Sequence, residues 1–357
     1  MAPPSIFAWQ YASTKGGLEE NLQFYDTFPM PEMPSNSGTV ASIIRVLAVS
    51  LNPQDYKVPE MGFAGKMATR PPATPASDFV GRIHKTNVPG LSKDNIVCGT
   101  IGMPQKHGSL AEYILVLGAE GVVKVPEGFV QGPGNLALKL QQLSCVGVAG
   151  LTALQTLDGV REGSRIFING GSGGTGSFAI QIAKHALGCA EVTASCSPAN
   201  VTYLRDLGAD VLIDYRAQDV IQALNQHVSQ TGQGFDRVID FVGNDMEMYW
   251  QSPGFLKEDG KYVLVGTDSM WELARNMLKI SLLPKVLGGG QRKFQLMQVK
   301  LKKSDMERLA GFVFEGKVRP VVESVFALTE VPKAFKELRT GKRRGKLVVQ
   351  VADPARG

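Results

Sequence analysis

Arg165-Ile-Phe-Ile-Asn169 runs directly into Gly170-Gly171-Ser172-Gly173-Gly174-Thr175-Gly176, and an apolar-faced stretch, Phe178 to Leu187, follows. An apolar strand, a glycine loop and a helix in that order give a glycine repeat physical meaning. Gly171, Gly173 and Gly176 have the G-x-G-x-x-G spacing. The first glycine permits the tight turn, the second lets a diphosphate approach the backbone, and the third lets the helix pack closely. A diphosphate there meets free N–H groups and the positive end of the helix dipole. The stretch predicts a dinucleotide-binding loop, with Ser172, Gly174 and Thr175 completing it. A purely structural glycine turn is the plain alternative, and the coincidence of strand, loop, helix and following strand weighs against it.

The same rhythm continues on the C-terminal side. Strand-like Glu191 to Cys196, Val211 to Ile213, Phe235 to Phe241 and Lys261 to Val265 alternate with helical segments such as Val201 to Leu207, and Phe294 to Lys300 offers a sixth strand. Alternating β and α segments predict an α/β fold in which helices wrap a parallel sheet. From Ser5 to about Gly128 the pattern is different: Val40 to Ala48, Asp78 to His84, Ser109 to Leu117 and Val122 to Val125 are short β-like runs broken by Pro, Gly and Asn. That punctuation predicts an irregular β-rich domain. Leu136 to Leu157 reads as helical, Asp305 to Phe314 as a further helix, and the tail returns to strands around Val321 to Phe326 and Lys346 to Val351. The expected division is 1–131, 132–300 and 301–357, the last segment rejoining the first.

Composition narrows the function. The 357 residues are 43% apolar and 20% charged, which excludes a disordered polymer. Lys and Arg total 38 against 33 Asp and Glu, a net +5 spread along the chain, so no nucleic-acid surface is expected. The one basic cluster, Lys342, Arg343 and Arg344, reads as a solvated turn. Cys98, Cys145, Cys189 and Cys196 stand apart, without metal-knuckle or redox spacing, which suits a reducing compartment. No stretch reaches the roughly 20 apolar residues of a membrane span, and no basic leader precedes an apolar run, so a cytoplasmic protein is expected.

The cofactor's phosphate is readable at the second strand. An NAD site usually has an acid about 20 positions beyond the glycine loop, bonded to the ribose hydroxyls. Here the strand ends Val192-Thr-Ala-Ser195-Cys196-Ser197 with no carboxylate. Ser195, Ser197, Asn200 and the pair Tyr215-Arg216 offer hydrogen bonds or charge to a 2′-phosphate, so NADPH is the expected cofactor. Helix capping by Ser197 and a solvated Arg216 are the structural alternatives.

Leu51-Asn-Pro-Gln-Asp-Tyr-Lys57, Ser77-Asp-Phe-Val-Gly81, Gly108-Ser-Leu-Ala-Glu-Tyr113, Ala149-Gly-Leu-Thr-Ala153, the loop Asn169 to Gly176 and Gly316-Lys-Val-Arg-Pro320 together give the chain a family likeness. It resembles the medium-chain dehydrogenase/reductase superfamily, in its zinc-free quinone and enone reductase branch. Cys196-Ser-Pro-Ala-Asn200 and Asp214-Tyr-Arg216 further resemble the trans-acting enoyl reductases of fungal polyketide pathways. The resemblance implies a GroES-like β-barrel catalytic domain, a Rossmann NADPH-binding domain and a substrate cleft between them. Zinc alcohol dehydrogenases of this superfamily carry a cysteine ahead of the Asp and a His-Glu pair. This chain has Leu51-Asn52-Pro53-Gln54-Asp55 and Ser77-Asp78 there, so no metal is expected.

Without a Lewis acid, a conjugated carbonyl is the easier acceptor: hydride attacks its β-carbon, an enolate forms, and the α-carbon is then protonated. Lys57 is the leading donor, to the carbonyl or to the cofactor's nicotinamide ribose, because it follows the Asn-Pro-x-Asp signature where the resembling enzymes carry an active-site lysine; an exposed, solvated lysine is the plain alternative. Burial is expected to lower its pKa. Asn52, Gln54 and Asp55 share that motif and its expected place beside the cofactor. Tyr56 is a second hydroxyl, since Phe63 stands near the tyrosine position of mitochondrial-type enoyl reductases. Thr152 is a hydrogen-bond donor to the nicotinamide end, and Gly266-Thr267 should face it. The Asp268 to Gly290 segment, with Met270, Trp271, Met277, Leu282 and Leu283, reads as an apolar loop, either a lid or packing. The expected activity is NADPH-dependent reduction of enone or enoyl substrates. Quinone reduction, a subunit served by a polyketide synthase carrier protein, and a non-catalytic NADPH-binding protein are the alternatives. A homodimer through the sixth strand is compatible with the pattern.

Overall fold

A computed structural model describes residues 5–36, 38–102, 106–243, 246–266, 270–284, 287–341 and 343–353. Two compact units emerge: Met1–Leu151 with Leu301–Phe314 and Pro320–Gly357, and Thr152–Lys300 with Glu315–Arg319.

In the first unit the short runs between turn residues become strands. They are β1 (Ser5–Tyr11), β2 (Leu22–Pro29), β3 (Ala41–Leu51), β4 (Asp78–Thr86), β5 (Ile96–Thr100), β6 (Tyr113–Leu117) and β7 (Val122–Lys124). In the second unit β8 (Arg165–Asn169), β9 (Glu191–Cys196), β10 (Val211–Asp214), β11 (Phe235–Asp240), β12 (Leu256–Leu264) and β13 (Lys293–Leu296) follow. The tail gives β14 (Val322–Ala327) and β15 (Lys346–Gln350) back to the first unit.

The first unit's main sheet runs β14-β15-β3-β4-β5-β7, with β6 paired to β3 and β1-β2 forming a separate hairpin. β3 is buried along nearly all its length, and Ile44, Val46, Phe79, Ile83, Val97 and Leu347 share its core with Phe335 and Leu338 of the helix Val331–Arg339. Two helices that the sequence pattern did not announce, Gln54–Lys57 and Gly62–Thr69, lie between β3 and β4.

The second unit's strands are all parallel and ordered β10-β9-β8-β11-β12-β13. Numbered within the unit, this is the 3-2-1-4-5-6 order of the doubly wound dinucleotide-binding sheet. β8, β9 and β11 are buried along most of their length, as strands of a parallel sheet covered on both faces are. Strand order reverses between β8 and β11, so the crevice beyond their C-terminal ends is where a ligand of this sheet sits.

A unit break falls at Leu301 as in the expected division, and the units differ from it at two places: the first break comes at Thr152 and not at 132, and 315–319 changes unit. The helix Leu136–Ser144 packs on β3, β4, β5 and β15, and buries Leu140 and Leu143 there. A Leu-rich helix carries no mark of which sheet it will cover. Glu315–Arg319 joins the second unit, where the Gln181 side chain bonds both the N–H and the carbonyl of Arg319. The expected apolar loop beyond Asp268 is largely a helix, Met270–Leu282, with Leu273 buried and Trp271 89% exposed. Its i, i+7 and i+11 positions Trp271, Leu278 and Leu282 all face solvent. Among the described residues no single helix is long and apolar enough to cross a membrane.

Candidate functional site

The glycine loop is built from the end of β8 outward. Gly170 takes φ +85°, which favours glycine, and turns the chain over the sheet end. A Cβ on Gly171 would stand 2.7 Å from Leu204 Cδ2, and one on Gly176 would stand 2.3 Å from the Gly170 carbonyl oxygen. Gly173 is the contrast: no atom lies within 4 Å of the place its Cβ would take. It is also the N-cap of the helix Gly174–Gln181, and no side chain caps that end. The loop thus leaves an open, backbone-lined cradle at a helix N-terminus, with half-buried Ser172, Gly174 and Thr175 around it. A diphosphate fits this arrangement, since every glycine of the spacing is either sterically required or faces open space.

A buried network fixes the cradle. Ser195 Oγ donates to Asn169 Oδ1 at 2.6 Å and accepts the Gly170 N–H at 3.0 Å. Asn169 Nδ2 donates to Asp240 Oδ1 at 2.9 Å, and Tyr262 Oη donates to Asp240 Oδ2 at 2.8 Å. Asp240 Oδ1 also accepts the Val242 and Gly243 N–H groups. Ser195 is therefore a support of the loop, buried beneath it, and not the ribose-facing donor expected from its place at the strand end. Sequence reasoning missed Asp240 and Tyr262; an Asp at the C-terminal end of the strand next to the glycine-loop strand was the available signal.

Beyond β9 and β10, Ser197 is buried and precedes the turn Pro198–Asn200, and Asn200 is half-buried. Cys196 pairs in register with Asp214, so the residues after each strand emerge side by side. Tyr215 and Arg216 are exposed there, and the Asp214 carboxylate is turned back onto the Arg216 N–H at 2.9 Å. Among the described residues the Arg216 guanidinium is in no ion pair. Gly266 is exposed with φ +78° beyond the end of β12, and Thr267 lies outside the described residues.

In the first unit the Asn52-to-Lys57 motif divides. Asn52 and Asp55 are buried, Gln54 is half-buried and Lys57 is exposed at the end of its short helix. Asp55 Oδ2 accepts the Asn52 N–H at 2.7 Å, and Asn52 Nδ2 donates to Asp78 Oδ2 at 2.8 Å. Asp78 Oδ1 accepts the Val148 N–H at 2.9 Å. Asn52 and Asp55 are thus internal braces whose side chains bond within the unit, and not the cofactor-facing groups that the motif suggested. Loss of hydration pushes the Asp55 carboxyl up to about 8 and also raises that of Asp78, against the pull of Lys346. The burial expected of Lys57 falls instead on Lys346, 3% exposed at the start of β15. Its pKa is lowered by loss of hydration.

Tyr56 packs into the first unit's core beneath the Arg339 guanidinium, 4.3 Å from its ring centroid, and Arg339 is itself paired with Glu19 and Glu60. Of the two readings of Tyr56, a second hydroxyl or packing, its surroundings favour packing. Thr152, the first residue of the second unit, is buried on the helix Val148–Thr156. All four cysteines are buried free thiols, and loss of hydration pushes Cys145 up to about 11. Among the described residues no three His, Cys, Asp or Glu side chains are grouped to hold a metal ion.

A GroES-like domain joined to a Rossmann sheet with an intact glycine loop defines a dinucleotide-dependent dehydrogenase or reductase. The chain belongs to the medium-chain dehydrogenase/reductase superfamily, whose members bind NAD(P). Residues 38–127 match the alcohol dehydrogenase GroES-like domain, and residues 207–349 match the zinc-binding dehydrogenase family. Trans-enoyl reductase pgmF of Aspergillus terreus is 37% identical over 98% of this chain and 97% of its own. The zinc-type alcohol dehydrogenase-like protein C16A3.02c of Schizosaccharomyces pombe is 30% identical over 96% of each chain. Among solved structures, the quinone oxidoreductase from Coxiella burnetii matches with a TM-score of 0.79 and 29% identity, over 98% of this chain and 100% of that one.

Proposed function

We propose that the protein is an NADPH-dependent reductase of the carbon–carbon double bond in α,β-unsaturated carbonyl compounds, acting without a catalytic metal. The observation that carries this reading is the near full-length similarity to a trans-enoyl reductase, on a chain whose glycine cradle is intact. The absence of a carboxylate after β9, and the exposed Arg216 beside it, favour the 2′-phosphorylated cofactor. Bound NADPH supplies a hydride to the substrate β-carbon. Gly171, Gly173 and Gly176 admit the diphosphate, and the uncapped helix end gives it N–H donors. Lys57, exposed at the end of its short helix, is the group that orients the carbonyl and stabilises the enolate oxygen. Thr152 is proposed to hold the nicotinamide end, and Gly266-Thr267 to border it.

Quinone reduction is the second reading, favoured by the Coxiella burnetii relative. The trans-enoyl reductase relatives also favour delivery of the substrate on a polyketide synthase carrier protein. NADPH oxidation against matched enones, quinones and carrier-bound enoyl thioesters separates the three. Enone or enoyl turnover is expected to exceed quinone turnover, and Lys57→Ala to lower it at least tenfold with NADPH affinity kept within twofold. Turnover of quinones alone, or an unaffected Lys57→Ala enzyme, overturns the assignment.

A further inference from the structure

Lys346 belongs to the tail of the chain, yet its ammonium lies under the Asn52-to-Lys57 turn. Nζ donates to the Leu51 carbonyl oxygen at 2.9 Å and to Asn52 Oδ1, and stands 3.9 Å from Asp78 Oδ2. Asn52 closes the triangle by donating Nδ2 to the same Asp78 oxygen. The Asn52 N–H and carbonyl are engaged as well, the first by the Asp55 carboxylate and the second by the Asp55 N–H at 2.9 Å. The Lys57 N–H then bonds the Pro53 carbonyl at 2.9 Å, so the turn carrying Lys57 is hung from Asn52. Asp55, Asp78 and Cys145 are the ionisable groups from other elements that act on the ammonium, and Arg343 acts on it from its own segment.

A buried ammonium is costly to desolvate, and hydrophobic residues of equal volume often serve stability as well or better. This one donates to the backbone and side chain of two consecutive motif residues, Leu51 and Asn52, and reaches them from a strand about 300 positions away in sequence. That arrangement constrains where the turn sits more than it strengthens the core.

We infer that Lys346, held against Asp78, is a positioning residue that acts through Asn52 to set the place of Lys57. The inference rests on the proposed role of Lys57. Without the ammonium, Asn52 Oδ1 and the Leu51 carbonyl lose their shared donor, and Lys57 is presented over a wider range of positions.

The test is a double-mutant cycle on turnover, with NADPH affinity and amide exchange measured alongside. Lys346→Met is expected to lower kcat at least tenfold, leave the NADPH dissociation constant within twofold and speed amide exchange at Tyr56 to Val58. In a Lys57→Ala background the same change is expected to cost less than twofold, because a residue acting through Lys57 has nothing left to position. Should Lys346→Met fail to fold, Asp78→Asn combined with Lys346→Met removes both buried charges, and the same cycle is run on that pair. Full, additive losses in the Lys57→Ala background overturn the inference while leaving the reductase reading in place. Unchanged kcat in the Lys346 variants overturns it likewise. A fully active Lys57→Ala enzyme removes the donor role and this inference together.

Discussion

Asp55→Asn asks whether a buried carboxyl beneath the Asn52 turn holds a proton at neutral pH. Asp55 is fully buried. Loss of hydration, with the Asp78 charge second, pushes it up to about 8 from an ordinary 3.8, while the Asn52 N–H and Lys346 act in the opposite sense. An acid whose folded pKa lies above its unfolded one makes the folded chain the better proton binder. Its contribution to stability is therefore complete below the unfolded value and is lost as pH rises through the folded value. Between about pH 6 and pH 8 that loss is about 2 kcal/mol, at a slope near 1.4 kcal/mol per pH unit until the folded value is approached. Asparagine keeps an oxygen for the Asn52 N–H but cannot ionise. The stability of wild type relative to Asp55→Asn should fall by about that amount over the interval. Urea unfolding at several pH values measures it, with the slope in denaturant required to stay constant. Asp78 and Lys346 are present in both proteins, so the difference reports Asp55 together with its coupling to those two groups. Parallel stability curves for the two proteins would refute the assignment of a neutral Asp55.

Two further outcomes follow from the cofactor cradle. Gly176→Ala places a Cβ 2.3 Å from a backbone oxygen, so the loop must shift; apo stability and NADPH affinity should both fall. Gly173→Ala meets nothing in the protein and has an ordinary φ of −72°, so it should leave the apo melting temperature nearly unchanged while weakening NADPH binding. Equal melting losses in the two variants would show the cradle is misassigned. Arg216→Ala should weaken NADPH about tenfold and NADH hardly at all, as expected for loss of one charge-assisted contact to a 2′-phosphate. Equal effects on both nucleotides in fluorescence titrations would remove Arg216 from the phosphate site.

Local pattern alone made much of the molecule legible. The β8 strand, the glycine loop and the following helix were readable because steric demands at Gly171 and Gly176 and the strand-to-helix change of period are properties of neighbouring residues. The alternation of β and α segments likewise fixed a parallel sheet, since parallel strands need crossovers long enough to hold a helix. Three of the candidate residues, Ser195, Asn52 and Asp55, turn their side-chain hydrogen bonds inward. Their chemistry was right for a ligand, but the same donors and acceptors serve equally well as internal braces, and sequence spacing does not state which way a side chain points. For the same reason spacing leaves Tyr56 open between hydroxyl and packing, and Arg339, brought to its ring by a distant helix, favours packing.

What the chain's order of residues determined by itself is the dinucleotide loop, the class of sheet around it and the missing acid at the second strand, all encoded within short windows. What only the tertiary structure decided is the buried cluster of ionisable groups Asp55, Asp78 and Lys346 and the helix Leu136–Ser144 as part of the first unit. Lys346 reaches the two acids because β15 returns to lie beside β3, and the helix covers the sheet that β3, β4, β5 and β15 form together. The energy of a buried charge is set by the partners that long-range pairing brings to it, and a linear pattern does not contain them.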